Sequence, residues 1–155
     1  MNTPKFSPAT VEVERVGSSN SQSRLDLNSN SGLDLFASED VFIKTGETAV
    51  IKTGLSVSLP CDVYGRIDIK NSLATTGLLS TGGMVDVGYT GELNVVVHNL
   101  NNRINSSYVG MGYQIKKGQK IAQLLVQHVA PIRLREVESL ALNERGISGF
   151  DNNGR

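Results

Sequence analysis

The chain has 155 residues, 15 basic against 15 acidic, and only 5% of it is aromatic. That length suits one compact domain with a real hydrophobic core, and a formal charge of zero without a dense Lys/Arg block speaks against a surface for nonspecific nucleic-acid binding. A lone cysteine, Cys61, rules out a disulfide framework, and two isolated histidines, His98 and His128, make no metal cluster.

The opening stretch MNTPKFSPAT lacks the charged-then-apolar order of a signal peptide, and no apolar run approaches membrane-spanning length. The plain reading is a soluble intracellular protein, cytoplasmic or nuclear, with neither nucleic acid nor membrane as a partner. Alternating β-branched residues predict a first strand over 10–16. Residues 18–30, rich in Ser and Asn, read as a loop or mobile connection. Further strands are expected over 49–59, 63–69, 93–100 and 120–129, with one short helical turn over 72–76. Gly, Asn, Pro or Ser bounds each strand, as in an all-β sandwich or barrel. Residues 134–144 fit a helix face through Leu134, Val137 and Ala141, yet Arg133-Leu134-Arg135 also fits a strand. The Gly- and Asn-rich end cannot bury enough apolar surface to fold alone. The expected organisation is a β domain over 1–144 and a mobile arm over 145–155.

Two segments carry candidate chemistry. In Gly83-Met84-Val85-Asp86-Val87-Gly88-Tyr89-Thr90-Gly91-Glu92-Leu93, apolar stretches flank a glycine-rich turn, which reads as a β-hairpin. Asp86 stands between apolar neighbours, where a carboxylate is costly unless it has a partner or a task; holding the turn is one such task. The end, from Arg145 to Gly154, lacks the Gly-Lys-Ser/Thr close of a phosphate loop. It offers one cation, Arg145, and one aromatic, Phe150, on a segment able to close over a ligand.

Taken in order, five stretches resemble the five motifs of the trimeric dUTPase family. They are Ser31-Gly32-Leu33-Asp34-Leu35-Phe36-Ala37, then Gly65-Arg66-Ile67-Asp68-Ile69-Lys70-Asn71-Ser72-Leu73-Ala74, then residues 83–93, then Lys117-Gly118-Gln119-Lys120-Ile121-Ala122-Gln123-Leu124, and last the tail from Arg145. The resemblance implies a jelly-roll-like β-sandwich, a homotrimer with three shared sites, and cleavage of dUTP to dUMP and pyrophosphate. It implies Asp86 as the general base for the attacking water and Tyr89 beneath the deoxyribose, with the segment holding Gly83 and Val85 reading uracil. Asp34 would hold a water of the Mg²⁺ shell. Lys70, Asn71, Ser72, Gln123 and Arg145 would serve the phosphates, and Phe150 would stack on the base. Plainer roles exist for some of these: Asp34 as a turn cap, Gln123 as a partner for backbone groups at a subunit contact, Tyr89 as core.

The chain departs from the family pattern in two places. Lys70-Asn71-Ser72 stands where the family usually has Arg-Ser-Ser or Arg-Ser-Gly, which loses a guanidinium fork and one hydroxyl donor. Phe150-Asp151-Asn152-Asn153-Gly154 stands for Phe-Gly-Ser-Thr-Gly, and Asp151 brings negative charge toward a polyphosphate. The alternative is therefore a nucleotide-binding or regulatory protein of the same fold with weakened or lost catalysis. A dCTP deaminase shares the fold, but its deaminating motif finds no match.

Overall fold

The computed structural model describes residues 9–16, 32–101 and 112–141. The expected loop over 18–30 and the arm over 145–155, with Arg145 and Phe150, lie outside the described residues.

Ten strands and one helical turn follow in chain order: β1 Glu12–Arg15, β2 Leu33–Phe36, β3 Val41–Ile43, β4 Thr48–Ser58, β5 Val63–Ile69, α1 Asn71–Ala74, β6 Leu78–Ser80, β7 Met84–Val85, β8 Glu92–Asn99, β9 Tyr113–Ile115 and β10 Lys120–His128. They build two four-stranded sheets, ordered β1-β4-β8-β6 and β2-β10-β5-β7, with β3 and β9 as a separate pair. Pairing is antiparallel throughout the described residues. Consecutive strands repeatedly fall in different sheets, as the expected jelly-roll-like sandwich requires.

Alternation explains why these segments are strands. In β8 the odd positions Leu93, Val95, Val97 and Asn99 are buried and the even ones half-exposed, the period-2 pattern of a sheet with one wet face. Opposing them, Leu33, Leu35, Ile67, Val85, Ile121 and Leu124 of the second sheet complete the core. Two glycines shape the framework. Gly54, at φ +69°, sits where β4 slips register between Lys52 and Ser56, a bulge an L side chain resists. Its N–H donates to Glu92 Oε1 at 2.8 Å. Gly83 packs so tightly that a Cβ would clash with the Ile67 carbonyl oxygen, while its own carbonyl accepts from Ile67 N–H at 2.8 Å. Gly83→Ala should therefore cost about 1–3 kcal/mol and lower the midpoint of thermal unfolding by several degrees. An unchanged midpoint would show that β7 does not depend on this contact.

Three expectations need correction. The segment 83–93 is not a two-stranded hairpin: β7 pairs with β5 and β8 pairs with β4 and β6, so the chain turns a corner between the two sheets. Both edges of β8 are taken, by β4 and β6, which leaves it none for β7. Asp86 is exposed rather than held among apolar groups. Residues 134–141 form neither helix nor strand, since they pair with no strand among the described residues, and Leu134 is 92% exposed.

Candidate functional site

On the outer face of the second sheet, Gln123 of β10 stands opposite Asp34 of β2 on one side and Asp68 of β5 on the other. Gln123 Nε2 donates to Asp34 Oδ1 at 2.9 Å, across 89 residues of sequence. Lys120 Nζ reaches the same oxygen at 2.6 Å. Simple alternation would put Lys120 and Gln123 on opposite faces of β10. A register shift between Lys120 and Ala122 brings both to Asp34. Asp68 is otherwise engaged, since Arg66 clamps it with two bonds of 3.0 and 2.7 Å.

Lys70 extends this cluster. Its N–H donates to the Ile121 carbonyl at 2.8 Å, tying the start of α1 to β10, and its charge is felt at Asp34. Burial by itself would raise the Asp34 carboxyl. Hydrogen bonds from Lys120 and Gln123, with the charges of Lys120 and Lys70, more than offset this and hold it below the ordinary aspartate value. Asn71 and Ser72 open α1 and are exposed.

A second cluster forms at the corner after β7. Val85 is buried and pairs with Gly65, which anchors the chain just before Asp86. Tyr89 N–H donates to the Asp86 carbonyl at 3.2 Å, and Gly88 turns at φ +82°. The Tyr89 ring lies over Gly91, where a Cβ would meet its hydroxyl at 2.7 Å. That hydroxyl donates to the Glu92 carbonyl at 2.9 Å, and the same oxygen accepts from Asn94 Nδ2 at 3.0 Å. Tyr89 is thus an oriented surface ring and not core.

One chain keeps the two clusters apart. Asp34 lies on β2 and Asp86 follows β7, the two outer strands of a four-stranded sheet, so three strand spacings, about 14 Å, separate them. Asp34, Lys70 and Gln123 come together; Gly83, Val85, Asp86 and Tyr89 come together elsewhere. Lys120 is the residue that reading the sequence missed, along with Glu92 and Asn94 behind Tyr89. Only the bulge in β10 reveals Lys120, and no period in the sequence marks it.

Among the described residues no group of three or more His, Cys, Asp or Glu converges to hold a metal ion. A lone ionised carboxylate suits the water shell of a magnesium ion carried mainly by a ligand's phosphates, because Mg²⁺ keeps several of its waters. Asp34, held ionised beside Lys120 and Gln123, fits that limited role by its chemistry. No helix among the described residues is long and apolar enough to cross a membrane.

A family model described as dUTPase matches residues 24–154. The deoxyuridine 5'-triphosphate nucleotidohydrolase of Variola virus is 36% identical over 100 residues, covering 64% of this chain and 63% of the relative, so the match spans less than two thirds of that relative's length. The dUTPase of Staphylococcus bacteriophage 80alpha, solved with dUPNHPP, superposes with a TM-score of 0.78 at 25% identity, over 91% of this chain and 96% of that one. A mutant dUTPase from phage phi11 of S. aureus, whose structure details the coordination of a structural Mg(II) ion, superposes with a TM-score of 0.72 at 25% identity, over 84% and 98%.

Proposed function

The chain belongs to the dUTPase family, and from that premise we propose that it hydrolyses dUTP to dUMP and pyrophosphate by attack of water on the α-phosphorus. The observation that carries the reading is the family match over 24–154, which contains every candidate site residue. Asp86 orients the water and takes its proton as the new P–O bond forms, a general-base task. The bond from the α-phosphorus to the bridging oxygen breaks, and pyrophosphate leaves. Tyr89, fixed by its bond to the Glu92 carbonyl, packs beneath the deoxyribose and leaves no room for a 2′-hydroxyl. The backbone around Gly83 and Val85 reads the uracil edge and excludes a 5-methyl group.

On the phosphate side, Gln123, Lys70, Asn71 and Ser72 hold the chain of oxygens, with Arg145 serving the phosphates and Phe150 the base. Asp34 would hold a water of the Mg²⁺ shell, and the ion when bound would supply charge neutralisation on the triphosphate. Hydrolysis in ¹⁸O-labelled water should place the label in dUMP. Label found in pyrophosphate would mean attack at the β-phosphorus and would remove the assignment of Asp86.

We further infer a homotrimer in which one chain's Asp34 cluster meets another's Asp86 corner. The strand spacing between Asp34 and Asp86 supports this, since a neighbouring copy could bring the two groups to one ligand. So does the uncovered apolar segment after β10, where Ile132 is 76% and Leu140 83% exposed, a placement that favours docking against another copy. Light scattering at micromolar concentration should give three times the chain mass of 16.7 kDa. A monomeric mass would overturn shared sites.

A further inference from the structure

Lys120 has no task in the reaction as described, yet its ammonium lies 2.6 Å from the carboxylate assigned to the metal's water. Its side chain is 25% exposed and that of Asp34 14%, so the pair is sheltered but within reach of a ligand. Gln123 donates to the same oxygen, and the charge of Lys70 also reaches Asp34. An ammonium in direct contact with a sheltered carboxylate is a cation that an anionic ligand can compete for. A structural role explains the pair poorly, because backbone pairing already joins β2 to β10 beside it.

Resting on the dUTP reading above, we propose that Lys120 is a triphosphate-binding cation of this site, held in reserve on Asp34 in the nucleotide-free chain. A dication's water shell and an ammonium repel one another when both use one carboxylate. The polyphosphate removes that conflict by offering Lys120 other oxygens. Asp34 and Lys120 then act as an exchange pair: nucleotide draws the ammonium away, and the metal's water takes its place on Asp34. Affinity for metal thereby becomes conditional on nucleotide.

The test is calorimetric binding of a non-hydrolysable α,β-imido analogue of dUTP, in EDTA and again in Mg²⁺, with no turnover involved. In EDTA, Lys120→Met should weaken binding about tenfold, as loss of one charge-assisted contact does. Asp34→Asn in EDTA should instead tighten binding, because it frees the ammonium, and in Mg²⁺ the same change should weaken it. In the double variant Asp34→Asn with Lys120→Met, most of the metal-free gain should vanish, whereas Lys120→Arg should keep the wild-type pattern. A purely structural bridge would give no reversal of sign between the two conditions. If Lys120→Met fails to fold, Lys120→Gln removes the charge and carries the same readout. An unchanged metal-free affinity in the charge-removing variant, or an Asp34→Asn gain that survives without Lys120, would overturn the proposal. Wild-type protein that fails to bind the analogue even with Mg²⁺ would instead sink the dUTP reading itself.

Discussion

Asp86→Asn is expected to lower kcat for dUTP by roughly 10²–10⁴, the span that a positioned general base contributes, while affinity for the imido analogue holds. The substitution keeps shape and removes only the ability to take a proton. Asp86 is exposed, and the chain is pinned at Val85, buried and paired with Gly65, not at the carboxylate. The fold should therefore be indifferent to the change, with thermal unfolding unaltered. Turnover undiminished in this variant would remove Asp86 from the mechanism. A joint loss of turnover and analogue affinity would make it a binding group instead.

The second large effect concerns the phosphate side, where this chain departs from its family. Asn71 opens α1 beside Lys70 and is exposed toward solvent; a carboxamide there is longer, planar and differently aimed than the serine hydroxyl the family uses. Asp151 adds negative charge to the arm. Charge on the phosphate chain grows as pyrophosphate departs, so misaimed donors are felt most in the chemical step. Asn71→Ser combined with Asp151→Gly should recover roughly 1–3 kcal/mol, about one to two powers of ten in kcat. Affinity for dUMP, which lacks the β- and γ-phosphates, should barely move. A kcat that stays level or falls would mean that the asparagine and aspartate already form a working alternative.

The sequence made the long strands legible because their alternation is local. Residues 63–69 are the expected strand to the residue, and β8 alternates over its whole length. Short strands were harder. Leu78–Ser80, Met84–Val85 and Tyr113–Ile115 span two or three residues each, too few for a period to show. The corner at 83–93 read as a hairpin because apolar flanks around a glycine turn look alike whether they pair with each other or with strands elsewhere.

For the site, residue types and order nominated Asp34, Lys70, Gln123, Asp86 and Tyr89 as candidates, and the structure sorts these candidates into two clusters. Lys120 stayed hidden for a geometric reason. It is three residues from Gln123, an odd number that puts the two on opposite faces of a regular strand, and only the irregularity at 120–122 turns both toward Asp34. The β4 irregularity is marked by Gly54, but Lys120-Ile121-Ala122 holds no glycine, so residue types do not reveal the one in β10. Partners across strands, such as Glu92 with Gly54, depend likewise on register.

The most direct measurement is pyrophosphate release by the purified chain with Mg²⁺, comparing dUTP, dTTP, dCTP and UTP under identical conditions. Each competitor tests one proposed contact: the 5-methyl group of dTTP that of the backbone at Gly83 and Val85, the 4-amino group of dCTP that of the uracil edge, and the 2′-hydroxyl of UTP that of the Tyr89 ring. A hydroxyl or methyl that clashes with a fixed wall costs several kcal/mol only when the wall cannot move, and Tyr89 is held by its bond to the Glu92 carbonyl. The account predicts release from dUTP that depends on the metal and on Asp86, with the other three nucleotides poor substrates. No release above background from dUTP, or equal release from all four, would contradict it.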